Sequence, residues 1–143
     1  DEVGIAAAVT GILTSDDKTA GGTNDHEGWD AGINLSLAGF TVGGSYADWG
    51  DSVGAANDAS YWDAGIGYAA GPWSVSATYI DSVVEIAGAD NDFDNIVIGA
   101  DYQLAPGLVP YAEVSLFDFD TPGTGTAADN DGTVVLLGTE LTF

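Results

Sequence analysis

Hydrophobic and polar residues alternate with a period of two along almost the whole chain, and no stretch sustains the 3.6-residue period of an amphipathic helix. In FTVGGSYADWG, residues 40–50, one parity holds Phe40, Val42, Gly44 and Tyr46, and the other holds Thr41, Gly43, Ser45 and Ala47. A half-buried strand of a soluble protein turns charged side chains to water, whereas this second face carries hydroxyls and glycine. The pattern predicts eight strands, over 2–13, 28–37, 40–48, 60–70, 73–81, 94–104, 109–118 and 133–143. Most are about 9–11 residues long, more than the usual soluble strand and enough for a tilted membrane crossing.

The connections are of two kinds. Ala38-Gly39, Gly71-Pro72 and APG at 105–107 are tight and carry the Gly and Pro of hairpin turns. The segments 14–27, 49–59, 82–93 and 119–132 read as long loops rich in Asp, Asn, Gly, Ser and Thr. Alternation of short turns at one end with long loops at the other is the pattern of an antiparallel up-and-down transmembrane β-barrel. Sandwiches with Greek-key crossovers mix loop lengths less regularly.

The two faces recur from strand to strand. The second strand sets Trp29, Ala31, Ile33, Leu35 and Leu37 against Asp30, Gly32, Asn34 and Ser36. The fifth sets Trp73, Val75, Ala77 and Tyr79 against Ser74, Ser76 and Thr78. Trp29, Phe40, Tyr46, Trp62, Tyr68, Trp73, Tyr79, Tyr102 and Phe143 all fall on the apolar parity near strand ends. Phe40 and Tyr46, Trp62 and Tyr68, and Trp73 and Tyr79 are each six residues apart. Six residues span about 20 Å of strand, which, tilted, brackets much of a ~25 Å apolar band. These aromatics are therefore expected at the two membrane interfaces, with the apolar face to lipid and the other face to a watery lumen.

Composition sharpens this reading. The 143 residues suit one domain, taken here as a single transmembrane barrel segment over 1–143, and carry 23 acids against one cation, Lys18, for a formal charge of −22. A compact soluble domain would repel itself at that charge. Disorder, the first reading for so acidic a chain, is disfavoured by a hydrophobic content of 45% with four Trp, six Tyr and five Phe. Nucleic acid is excluded as a partner, because nothing here could neutralise phosphates. There is no cysteine, hence no disulfide or thiol chemistry. No apolar run reaches the ~18 residues of a transmembrane helix, and no basic segment opens the chain as a signal peptide would.

The inward parity carries Asp30, Asn34, Asp63, Asp101, Glu113 and Glu140, with no Lys or Arg on any predicted strand. An eight-stranded closed barrel is just wide enough for its own side chains. Mostly Gly, Ser, Thr and Ala would leave it underfilled, and unpaired carboxylates in a narrow dry interior are costly. In a wide water-filled channel they stay solvated. The strands are therefore expected to belong to a larger barrel whose pore these six residues line. Carboxylates around a pore attract cations, so a cation preference follows.

The stretch DNIVIGADYQLAPGLVPYAEVSLFDFD, closed by NDGTVVLLGTELTF, resembles the C-terminal end of Gram-negative outer-membrane porins of the alphaproteobacterial type. GWDAGINLSLAGFTVGGSYADWG and SYWDAGIGYAAGPWSVSATYI resemble the hairpins that precede it there. The resemblance covers nearly the whole chain. It implies a 16-stranded barrel in the bacterial outer membrane, a homotrimer passing small hydrophilic solutes and ions by passive diffusion, in contact with lipid and lipopolysaccharide. The chain would be its C-terminal half. Phe143, with Leu141, Leu137 and Val135 at alternating positions, is similar to the signal read by the barrel-assembly machinery. The family's constriction loop belongs to the other half, so none of its residues is assigned here.

Two other classes of function compete with this reading. One is a small closed eight-stranded outer-membrane barrel with a structural or anchoring role and no transport. The other is a barrel enzyme, which needs a nucleophile and base within reach. His26, the single histidine, sits among Asn, Asp and Glu and reads as a solvated loop residue, so no enzymatic activity is expected. No cofactor is expected apart from calcium: ADNDFDN at 89–95 places Asp90, Asp92 and Asp94 at i, i+2 and i+4, as at the start of an EF-hand loop. Asn95 stands where that loop needs Gly, and a strand follows instead of a helix, so only weak binding by loop carboxylates is expected.

Overall fold

The computed structural model describes residues 5–16, 26–50, 58–86, 88–122 and 129–143. They form eight strands: β1 (Ile5–Asp16), β2 (His26–Leu37), β3 (Phe40–Asp48), β4 (Ala59–Ala70), β5 (Trp73–Ile86), β6 (Ala89–Tyr102), β7 (Leu108–Asp120) and β8 (Asp129–Leu141). All lie in one sheet in chain order, each antiparallel to the next. This is the meander of an up-and-down barrel wall. Among the described residues no ladder or contact joins β1 to β8, so each keeps one unpaired edge.

The tight turns have the geometry their residues dictate. Gly71 has φ 58° and is followed by Pro72, matching the positive-then-negative pair of a type II′ hairpin turn. In Ala105-Pro106-Gly107-Leu108, Gly107 has φ 78° and the Leu108 N–H donates to the Ala105 carbonyl at 2.9 Å, a type II turn with Pro and Gly at its central positions. The Thr142 N–H donates to the Gly107 carbonyl at 2.8 Å, which ties the chain's last residues to this turn.

Several boundaries differ from the sequence reading: β1 runs on to Asp16, β2 starts at His26, β7 runs to Asp120 and β8 spans Asp129–Leu141, so the connections read over 14–27 and 119–132 are shorter than expected. The segment 82–93 is not a long loop: the β5–β6 ladder runs on to Ile86↔Ala89. Val83 and Val84 favour strand, and the Asn91 amide donates across to the Val84 carbonyl at 3.0 Å. The acidic composition of 82–93 suggested a loop, but charged side chains on a strand that stands clear of lipid cost little. β6 in turn stops at Tyr102, two residues early, because the Gln103 N–H donates to the Pro72 carbonyl and the Leu104 N–H to the Leu108 carbonyl. His26 lies at the start of β2, paired in register with Asp16, rather than in a loop.

The sheet is inside out relative to a soluble protein. Ala47 is the one buried apolar residue among those described, while Phe40, Val42 and Ile66 are each 50% exposed. On β4 the shielded positions are Asp63, Gly65 and Gly67, and the exposed ones are Trp62, Ala64, Ile66 and Tyr68. On β6 they are Asn95, Val97 and Gly99 against Ile96, Ile98 and Ala100. A sheet that curls shields its inner face, so the wall wraps around its polar side. Burial in a core cannot drive this fold. Its apolar face needs a solvent of hydrocarbon.

Candidate functional site

Residues opposite one another in a ladder share a face, so the register tests the parity reading directly. Gly32, Ser45, Asp63, Ile80, Asn95, Phe117 and Gly132 form one row of the inner face. Asp30 lies one row toward the loops, level with Ala47. Asn34 lies one row toward the turns, its side-chain amide over Gly43. Glu113 is opposite Gly99, Asp101 opposite Ser74, and Glu140 opposite Val109. All six candidate residues thus share the face. They do not form one ring, however. Asp30 and Asp63 lie toward the loop end on β2 and β4, whereas Asp101, Glu113 and Glu140 lie toward the turn end on β6–β8.

Neighbouring strands fix several of these groups. The Ser45 hydroxyl donates to the Asp63 carboxylate. The Ser74 hydroxyl donates to Asp101 at 2.9 Å, and the Ser115 hydroxyl to the Asn95 side-chain amide oxygen at 2.8 Å. Between β2 and β5 the small residues leave a depression of about 390 Å³, lined by Asn34, Thr41, Ser45, Asp63 and Thr78 among others.

On the outer face eight of the nine predicted aromatics pair across neighbouring strands. Trp29 with Tyr46 (ring centroids 5.2 Å apart) and Trp62 with Tyr79 (5.1 Å) lie toward the loops. Phe40 with Tyr68 (4.4 Å) and Trp73 with Tyr102 (4.5 Å) lie toward the turns. Such tilted pairs add to the burial of the rings themselves. Phe143 lies beyond the end of β8 and is fully exposed.

Two groups of residues escaped the sequence reading. The inner face is not uniformly small: β7 turns Tyr111, Phe117 and Phe119 inward, opposite Asp101, Asn95 and Phe93. The alternation of LVPYAEVSLFDFD carries that signal. The outer face carries a band of carboxylates in the same rows as the loop-end aromatics, on the strands beyond Trp62, which is opposite Asp81. Asp81, Asp94, Asp118 and Asp131 form one row, Asp92, Asp120 and Asp129 the next, and Glu85 faces Asp90. The Tyr46 and Tyr79 hydroxyls donate to Asp48 and Asp81 at 3.4 and 3.3 Å. At the tip of β7, Asp120 is held above the usual carboxylate range, foremost by repulsion from Asp118, then by desolvation and by Asp129 and Asp92.

The calcium expectation at Asp90, Asp92 and Asp94 assumed a loop, and the structure has a strand there. All three lie on β6, in a ladder with β5. Alternate residues of a strand stand about 7 Å apart, too far for three carboxylates to converge on one ion without a loop to fold them inward. Among the described residues no group of three or more His, Cys, Asp or Glu has a metal-holding arrangement.

An antiparallel meander with an apolar, aromatic-belted exterior and a polar inner face defines an outer-membrane β-barrel protein. Residues 2–122 match the Gram-negative porin family, and the chain belongs to it. No curated protein matches the chain in sequence. Among solved structures, it is similar to OmpT, an outer membrane protein of Vibrio cholerae folded in vitro, with 18% identity and a TM-score of 0.62. That likeness covers 94% of this chain and 48% of the other, so the chain spans about half the length of its structural relative. The protein is located in the bacterial outer membrane.

Proposed function

We propose that this chain is the C-terminal half of a larger, 16-stranded barrel that conducts small hydrophilic solutes and cations by passive diffusion. The observation that carries the reading is the inverted sheet. Among the residues whose side chains are described, its polar face bears five carboxylates, two of them held by serine hydroxyls, and there is no Lys or Arg on any described strand. A closed eight-stranded anchor would require a β1–β8 ladder, and the two strands make no contact. In hydrocarbon an open edge leaves backbone N–H and C=O groups unsatisfied at several kcal/mol each, so further strands complete the wall. The chemistry is conduction rather than catalysis.

The partners follow from the same surface. The paired aromatics anchor in the lipid interfaces. The outer carboxylate band meets anionic lipopolysaccharide through divalent cations held between the two, not within one protein site. The family resemblance supports a trimer and delivery by the barrel-assembly machinery through β8 and Phe143. The test is the reversal potential of the reconstituted protein across a KCl gradient. A cation-selective potential is expected. Anion selectivity, or insertion without conductance, would sink the proposal.

A further inference from the structure

Tyr111, Phe117 and Phe119 point away from the lipid belts. Phe117 and Tyr111 do not stand out from the wall; each leans across to β8. The end of the Phe117 ring lies where a side chain on Gly132 would be, its Cζ 2.6 Å from the place of a Cβ, and Tyr111 does the same over Gly138. A ring laid along the wall leaves one side open to the lumen, and Tyr111 and Phe119 are 38% and 36% exposed.

Each ring has a planar hydrogen-bonding group opposite it in the ladder. Phe119 faces Asn130, Phe117 faces Asn95, and Tyr111 faces Asp101. The Ser115 and Ser74 hydroxyls hold Asn95 and Asp101. Residues 111 to 119 of a strand cover about 26 Å, so the three platforms run along most of the wall, with Glu113 and Ser115 between them. An aromatic face carries partial negative charge and attracts weakly polarised C–H groups. Amide and carboxylate oxygens beside it accept from hydroxyls. A pyranose ring offers both at once, with C–H bonds on its face and hydroxyls around its rim. A simple ion uses only the oxygens, and a hydrocarbon uses only the ring.

We infer that the β7 wall is a sliding path for neutral pyranose sugars, in particular short linear oligosaccharides. This rests on the channel reading and narrows its solute class. The test records single-channel current through the full reconstituted protein as a linear glucose trisaccharide is added. The trisaccharide should interrupt the current in a concentration-dependent way. Phe117→Ala and Tyr111→Ala should each raise the half-blocking concentration about tenfold, within the range measured for single stacking contacts. Asn95→Leu, which leaves the ring on Gly132 and so guards against misfolding, should raise it as well. Conducting channels that the sugar never interrupts, an unchanged half-blocking concentration in all three variants, or block by tetraethylammonium alone would overturn the inference. Saturation-transfer NMR in micelles separates the two readings. Sugar contacts without conductance would support the path and remove the channel, whereas neither contacts nor block would remove the path.

Discussion

At the residue scale, the aromatic–glycine contacts between β7 and β8 act as joints. An aromatic ring covering a glycine on the next strand supplies the packing that the glycine lacks. A methyl at Gly138 would collide with the Tyr111 ring. Gly138→Ala is therefore expected to lower unfolding stability in lipid vesicles by about 1–3 kcal/mol, the usual range for overpacking. In a Tyr111→Ala background the same substitution should be nearly neutral. Equal costs in both backgrounds would show that no joint exists.

A second residue-scale prediction concerns Asp120. Its raised value means that the folded protein favours the protonated form. The stability this group contributes is full below the ordinary carboxylate range and is lost as pH rises through the raised folded value. Asp120→Asn, permanently neutral, should raise the melting temperature at neutral pH. The gain should vanish in acid and shrink with added salt, because the repulsion from Asp118 is screened at an exposed site. The same melting temperature for both proteins at neutral pH would refute it.

At the scale of elements, the β5–β6 hairpin is the feature to probe. Its ladder continues five pairs beyond Asp81↔Asp94, to Ile86↔Ala89, about 17 Å at the usual rise. It therefore projects beyond the loop-end aromatics as a paired ribbon. Amides within 82–86 and 89–93 should be protected in hydrogen exchange, and a tag inserted at Gly88 should be reachable from outside intact cells. Exchange at loop rates across 82–93 would restore the long-loop reading. The β2–β3 turn offers a simpler test, because Ala38 has φ 52°, a conformation that costs a residue with a Cβ. Ala38→Gly should stabilise the protein by about 0.5–1 kcal/mol, the amount expected when such strain is relieved, measured by urea unfolding.

At the scale of the whole molecule, the inner carboxylates fall into two groups, and the proposed channel would divide its selectivity between them. Asp30 and Asp63 lie toward the loop end; Asp101, Glu113 and Glu140 lie toward the turn end. The screening length is about 10 Å at 0.1 M salt, so the two groups act nearly independently. Neutralising Asp101 and Glu113 to Asn and Gln should shift the reversal potential only part of the way toward zero. Adding Asp30→Asn and Asp63→Asn should move it further. If the first pair alone abolished selectivity, the loop-end group would not face the conducting path.

The period-two pattern by itself determined the strands, their order of turns, and the face on which Asp30, Asp63, Asp101, Glu113 and Glu140 fall. Each of these is a local consequence of a pleat that sends alternate side chains to opposite sides. Charge and aromatic placement then told which side meets lipid. The structure alone decided what depends on partners across a ladder. Asp90, Asp92 and Asp94 read as a chelating loop until their pairing with β5 held them extended on one face. Tyr111 and Phe117 carried no visible role until the register set them over Gly138 and Gly132, some 15 to 27 residues away in the chain. The splitting of the carboxylates into two groups likewise came from the stagger between strands. Parity names a residue's face, but only the register fixes its height on the wall and its neighbours there.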